Sequence, residues 1–135
     1  MTTVESVFKA AMVLMDELSS TGEARTSDTK EYELRAPSIL NALTAELRTL
    51  MGETADWLPA EGMDDSLPVD TNYGLAAMPY GLAANLLVDE NPSAASFFQQ
   101  RYEELRAVYL ARRRADIDDI EMLYGGIGHG EFARW

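Results

Sequence analysis

Residues 91–114, NPSAASFFQQRYEELRAVYLARRR, decide how the rest of the chain is read. Asn91 is a capping residue, and Pro92 follows it in the first helical position, where no backbone N–H is needed. Apolar side chains then recur at Ala94, Phe97, Phe98, Tyr102, Leu105, Val108 and Tyr109. That spacing follows the α-helical turn and predicts one amphipathic helix ending at about Arg114. A stripe of this kind must be buried against other elements, so the neighbouring segments have to supply the cover.

Residues 71–89, TNYGLAAMPYGLAANLLVD, come just before it, with Asp70 or Thr71 as cap. One stripe runs through Tyr73, Ala76, Ala77, Tyr80, Ala84 and Leu87, and a second through Leu75, Met78, Leu82 and Leu86. A helix apolar on nearly every side belongs inside a bundle. Its small residues, such as Gly74, Gly81 and Ala83, let neighbours come close, and Pro79 is expected to kink it or distort a turn. Residues 3–18 predict a further helix, capped by Thr3, with Val4, Val7, Phe8, Ala11, Leu14, Met15 and Leu18 on one side. After the polar loop 22–29, a helix runs from beyond Asp28 to Met51 on Leu40, Leu43, Leu47 and Leu50, and Gly52 stops it. Pro37 either starts a helix of its own or kinks one long helix, with helix expected through most of the segment. Residues 52–69, with two glycines and two prolines, read as a long surface loop pinned by Trp57 and Leu58.

No internal repeat and no strongly alternating strand run is present. The expected fold class is all-α: a bundle of about four helices over residues 1–115, then an irregular docking arm over residues 116–135. Residues 116–123 have room for one or two helical turns, and Gly125, Gly126, Gly128 and Gly130 then disfavour regular helix.

At 135 residues and 47% hydrophobic content, the chain has the makings of one globular domain rather than a disordered one. It has no cysteine, which excludes disulfides, thiol nucleophiles and thiolate metal sites and fits a reducing compartment. No segment reaches the roughly 18–20 apolar residues a membrane span needs. The N-terminus carries Glu5 and no basic leader, so a signal peptide is not expected. The net charge is −12, concentrated early: residues 1–70 hold 14 acids and 5 bases, against 9 and 6 in residues 71–135. Such a body repels nucleic-acid phosphates, so no specific nucleic acid binding by the monomer and no membrane partner are expected. Solubility is the simplest use of the charge.

Catalytic equipment is not recognisable. The single histidine, His129, lies in the glycine-rich tail, a poor platform for a triad or for zinc. GGIGHG lacks the spacing and the strand–helix context of a dinucleotide loop. Asp116, Asp118 and Asp119 resemble the start of a calcium loop, but Glu121 stands where its glycine is required. Pairs such as Glu103–Glu104 and Asp64–Asp65 read as solvated faces. No catalytic residue, metal or cofactor is expected, and the chain reads as a non-enzyme; an unrecognised carboxylate site is the reading that would reverse this.

Two features suit partner binding. Residues 101–114 carry Arg101, Arg106, Arg112, Arg113 and Arg114 against Glu103 and Glu104, while residues 115–131 carry Asp116, Asp118, Asp119, Glu121 and Glu131 with no lysine or arginine. Arginines at a helix C-terminus with local pairing explain this; so does a patch in which one copy's arginines meet the acidic body of the next. The tail sets Tyr124, Ile127, Phe132, Arg134 and Trp135 among glycines and acids. Those side chains either fold back on their own core or grip another protein, and about 20 extended residues reach roughly 60–70 Å.

The block YGLAAMPYGLAANLLVDENPSAASFFQQRYEELRA, residues 73–107, resembles small head-completion proteins of tailed bacteriophages and prophages, the head–tail connector adaptors beneath the portal. The shared marks are the alanine-rich helix with its proline, Asp89-Glu90, Asn91-Pro92, the paired aromatics and Arg101-Tyr102-Glu103-Glu104. Tyr124-Gly125-Gly126-Ile127 and Glu131-Phe132-Ala133-Arg134-Trp135 are similar to the tails of such proteins. The resemblance covers roughly half the chain. It implies a helical-bundle protomer and a homo-oligomeric ring, often twelvefold. It also implies binding to a portal-type protein and to neighbouring copies, with the C-terminal arm as the docking element. The implied location is the virion neck, with assembly in the bacterial cytoplasm. Docking residues on this reading are Tyr124, Ile127, Phe132, Arg134 and Trp135, with Arg112, Arg113 and Arg114 as the charged contact. An acidic, monomeric helical regulator of a single protein partner is the alternative.

Overall fold

Capping chemistry sets most of the element boundaries. The computed structural model describes the backbone of residues 1–121 and the side chains of residues 1–115. Its elements are β1 (Thr2–Thr3), α1 (Val4–Leu14), α2 (Lys30–Leu50), β2 (Ser66–Leu67), α3 (Thr71–Ala76), α4 (Met78–Leu87) and α5 (Pro92–Glu121). Thr3 caps α1 by accepting from the Ser6 N–H at 3.2 Å, and Asp70 caps α3 by accepting from the Tyr73 N–H at 2.8 Å. Asn91 accepts from the Ala94 N–H at 3.2 Å, with Pro92 opening α5. Each cap satisfies one of the orphan donors of a first turn.

α1 and α2 end in the same way. Past α2, Gly52 adopts φ 76° and donates to the Thr49 carbonyl, while the Glu53 N–H reaches Arg48. This is the left-handed stop expected at that glycine. Past α1 the same pair of bonds forms with Asp16 at φ 58°, from Asp16 to Val13 and from Glu17 to Met12. The helix therefore ends at Leu14 rather than Leu18, because an aspartate takes the conformation usually left to glycine.

Two prolines resolve differently. α2 is continuous through Pro37, and its buried Ala36, Leu40, Thr44 and Leu47 hold both sides of the proline to the core. The predicted helix over residues 71–89 is two helices: α3 stops at Ala76, and Pro79 sits in the first turn of α4, where it needs no donor. The remaining departure is a ribbon, since β1 pairs antiparallel with β2 in the register Thr2↔Leu67 and Thr3↔Ser66.

α4 occupies the centre, packed by α1, α2, α3 and α5. Met78, Gly81, Leu82, Ala83, Ala84 and Leu86 are all buried, as expected for a helix apolar on nearly every side. Around it lie Phe8, Met12, Leu40, Leu47, Leu67 and Tyr102, each contributing about 1.5–3 kcal/mol by burial. The architecture is all-α apart from the ribbon.

Trp57 and Leu58 do not pin the loop 52–69 as expected: Leu58 is 86% exposed and Trp57 is half-buried. Ala60, Met63, Leu67 and Val69 enter the core instead. The Asn41 amide fixes the loop by donating to the Ala60 carbonyl at 2.8 Å and accepting from its N–H at 2.9 Å.

Candidate docking surface

A polar and aromatic seam centred on Tyr102, Arg106 and Tyr109 attaches α5 to the body. The Tyr73 hydroxyl donates to the Tyr102 oxygen at 2.8 Å, and both phenols are buried. Burial pushes both phenols above their ordinary value; for Tyr73 the hydrogen bond adds to the shift, and for Tyr102 it opposes it. The Tyr73 and Tyr109 rings lie 4.7 Å apart. On the α2 side, Arg106 sits 5.4 Å over the Tyr102 ring and donates to Glu46 at 2.6 Å.

Asp70 joins the seam to α3. Its Oδ2 accepts from the Tyr109 hydroxyl at 2.6 Å while Oδ1 caps the helix. Burial alone would raise this carboxyl. The Tyr109 hydrogen bond, the N–H groups of Tyr73 and Asn72 and the field of Arg113 outweigh it and hold the carboxyl below its ordinary value. Its stabilising contribution is thus present above the unfolded-state pKa of about 4 and is lost as the pH falls through the folded value. Asn at this position keeps the cap but not the charge. Thermal melts are therefore expected to show wild type more stable than Asp70→Asn at neutral pH, with the gap closing below about pH 4.

The seam stops at Leu110. Residues 111–115 are all exposed, and Arg112, Arg113 and Arg114 stand among them. None of the three is in a salt bridge among the described residues. Arg113 and Arg114 border a shallow cleft with Leu50, Met51 and Leu110 at the end of α2. Tyr124, Ile127, Phe132, Arg134 and Trp135 lie outside the described residues, as does His129. Among the described residues, no group of three or more acids or histidines is arranged to hold a metal, and no helix is long and apolar enough to cross a membrane.

No protein-family model, curated protein or solved structure matches the chain.

Two exposed surfaces were not singled out by sequence reasoning. Phe97 and Val108 belong to the stripe predicted to be core, yet they are 61% and 51% exposed. The buried line of α5 runs instead through Ala95 and Tyr102, flanked by half-buried Phe98, Leu105 and Tyr109. Phe97 meets Phe98 edge to face, Phe98 lies tilted against Tyr80, and Arg101 lies 5.9 Å over the Tyr80 ring. The second surface is a groove of about 470 Å³ where the 57–68 segment meets the ribbon, with Trp57, Leu58, Pro59 and Pro68 in its wall and Glu61 and Asp65 on its rim.

Proposed function

We propose that the protein is a structural adaptor of a tailed-phage or prophage head–tail connector: it assembles as a ring of copies beneath a portal-type protein and docks through its C-terminal end, without catalysis. The reading rests on the resemblance of residues 73–107 and on one observation, that Arg112, Arg113 and Arg114 stand exposed on α5 beyond the seam. Side chains pack on the body as far as Leu110, while the helix runs on through Arg112–Arg114 to Glu121. Residues 111–115 are all exposed, three arginines among them. An acidic chain of net charge −12 also suits a ring that passes DNA without gripping it.

Removal of residues 116–135 tests the reading. Helical circular dichroism is expected to fall only by the few helical residues removed, while co-sedimentation with a portal-type protein is lost. Global unfolding of the shortened chain, or unchanged co-sedimentation, defeats the docking-arm reading. Light scattering with and without that partner separates the ring from a monomeric regulator, since only the adaptor forms rings.

A further inference from the structure

The two exposed surfaces complement each other. On α5, Phe97, Arg101, Val108 and Arg112 fall within an arc of about 60° and span about 22 Å of helix. The flank is apolar at Phe97 and Val108 and carries Arg101 and Arg112 with Glu104 beside Val108, Arg101 reaching Glu104 at 3.4 Å, so it is basic by one charge. The groove has the opposite charge. Leu58 is the most exposed large apolar side chain of the described residues, half-buried Trp57 stands beside it, and Glu61 and Asp65 form the rim. Residues 52–69 contain no lysine or arginine at all. One carboxylate oxygen of Asp65 already accepts from the Glu61 and Gly62 N–H groups, which fixes the rim in place. A groove lined by apolar and acidic side chains is chemically complementary to a helix that offers apolar side chains between arginines.

We propose that the Phe97–Arg101–Val108–Arg112 flank of α5 docks in the Trp57–Leu58 groove of a second copy, so that copies associate head to tail. The contact is heterologous: each copy gives its flank to one neighbour and its groove to another. Repeating such a contact closes a ring or builds a filament according to the rotation. The inference deepens the ring reading and rests on it, by naming the surfaces that neighbouring copies share.

Sedimentation velocity on the full chain over a range of concentrations tests it, using Val108→Asp on the flank and Leu58→Asp on the groove. Both positions are exposed, and circular dichroism checks that each variant is folded. Wild type is expected to associate, less so at high salt because the rim pairs are screened. Each variant alone is expected to lose at least tenfold in association. An equimolar mixture of the two variants is expected to form a heterodimer and nothing larger, because each still carries one intact surface. A mixture that stays monomeric, or a variant that associates like wild type, overturns the proposal. Wild type that stays monomeric throughout overturns it too, while leaving the ring reading to the portal co-sedimentation, since adaptors that assemble only on the portal are monomeric alone.

Discussion

Tyr102→Ala is expected to destabilise the protein by about 3–5 kcal/mol, a large share of the stability of a domain this size. Tyr102 is fully buried, and its ring lies between Arg106 on its own helix and the approach of α4 at Gly81. Truncation leaves a cavity that these neighbours fill only in part. Tyr102→Phe separates the hydroxyl from the ring: the buried Tyr73 hydroxyl loses its acceptor, at about 1–3 kcal/mol. Tyr73→Phe removes the donor instead, and the double Phe variant leaves neither group unsatisfied. Urea denaturation of the four proteins is thus expected to give a double variant less destabilised than the two single changes added together. Strict additivity would show that the two hydroxyls do not depend on each other. The Arg106–Glu46 pair is a useful contrast: at 2.6 Å it is the shorter contact, yet Glu46 is 48% exposed, so its removal is expected to cost under about 1 kcal/mol.

The sequence exposed those features that depend on a few adjacent residues. Thr3, Asp70, Asn91 and Gly52 act where their chemistry puts them, because a cap or a left-handed stop needs only its own turn. Asp16 was not legible as a stop, since an aspartate takes φ 58° only under the pull of the surrounding structure. The ribbon was equally hidden, because strands of two residues carry no alternation to read. α5 shows a subtler failure. Its apolar positions spread over an arc wider than α4 covers: the close approach at Gly81 takes in the Tyr102 ring, and Phe97 and Val108, well round the helix from it, stay exposed. The arginines of the candidate site could be read directly as charge. The groove could not, because it exists only once Asn41 and the ribbon have set the path of the 52–69 segment, and Trp57 and Leu58 look from sequence like any other anchor.

The ribbon bears on both stability and association, and Gly74→Ala addresses it. Alanine at a helix interior position is ordinarily stabilising by about 1 kcal/mol relative to glycine, so propensity alone predicts a gain. Space predicts a loss. A Cβ on Gly74 would lie 2.2 Å from Thr2 Oγ1, 2.5 Å from its Cγ2 and 2.8 Å from its Cβ. Thr2 has no flexible end to swing away; it is β-branched, 3% exposed, and its hydroxyl donates towards the Val69 and Asp70 carbonyls at 3.1 and 3.2 Å. Relieving the clash means displacing Thr2, and with it the pairing to Leu67 and the strand that leads into the Thr3 cap. Overpacking and the lost hydrogen bonds together cost about 3 kcal/mol, which exceeds the propensity gain. A net destabilisation of about 2 kcal/mol is therefore expected in chemical denaturation. Adding Thr2→Gly, which removes all three clashing atoms, should recover part of it. Because Ser66 of β2 lines the groove, the single variant should also associate more weakly than wild type while still folded. A Gly74→Ala protein more stable than wild type would mean that α3 and the N-terminal strand do not meet as closely as described.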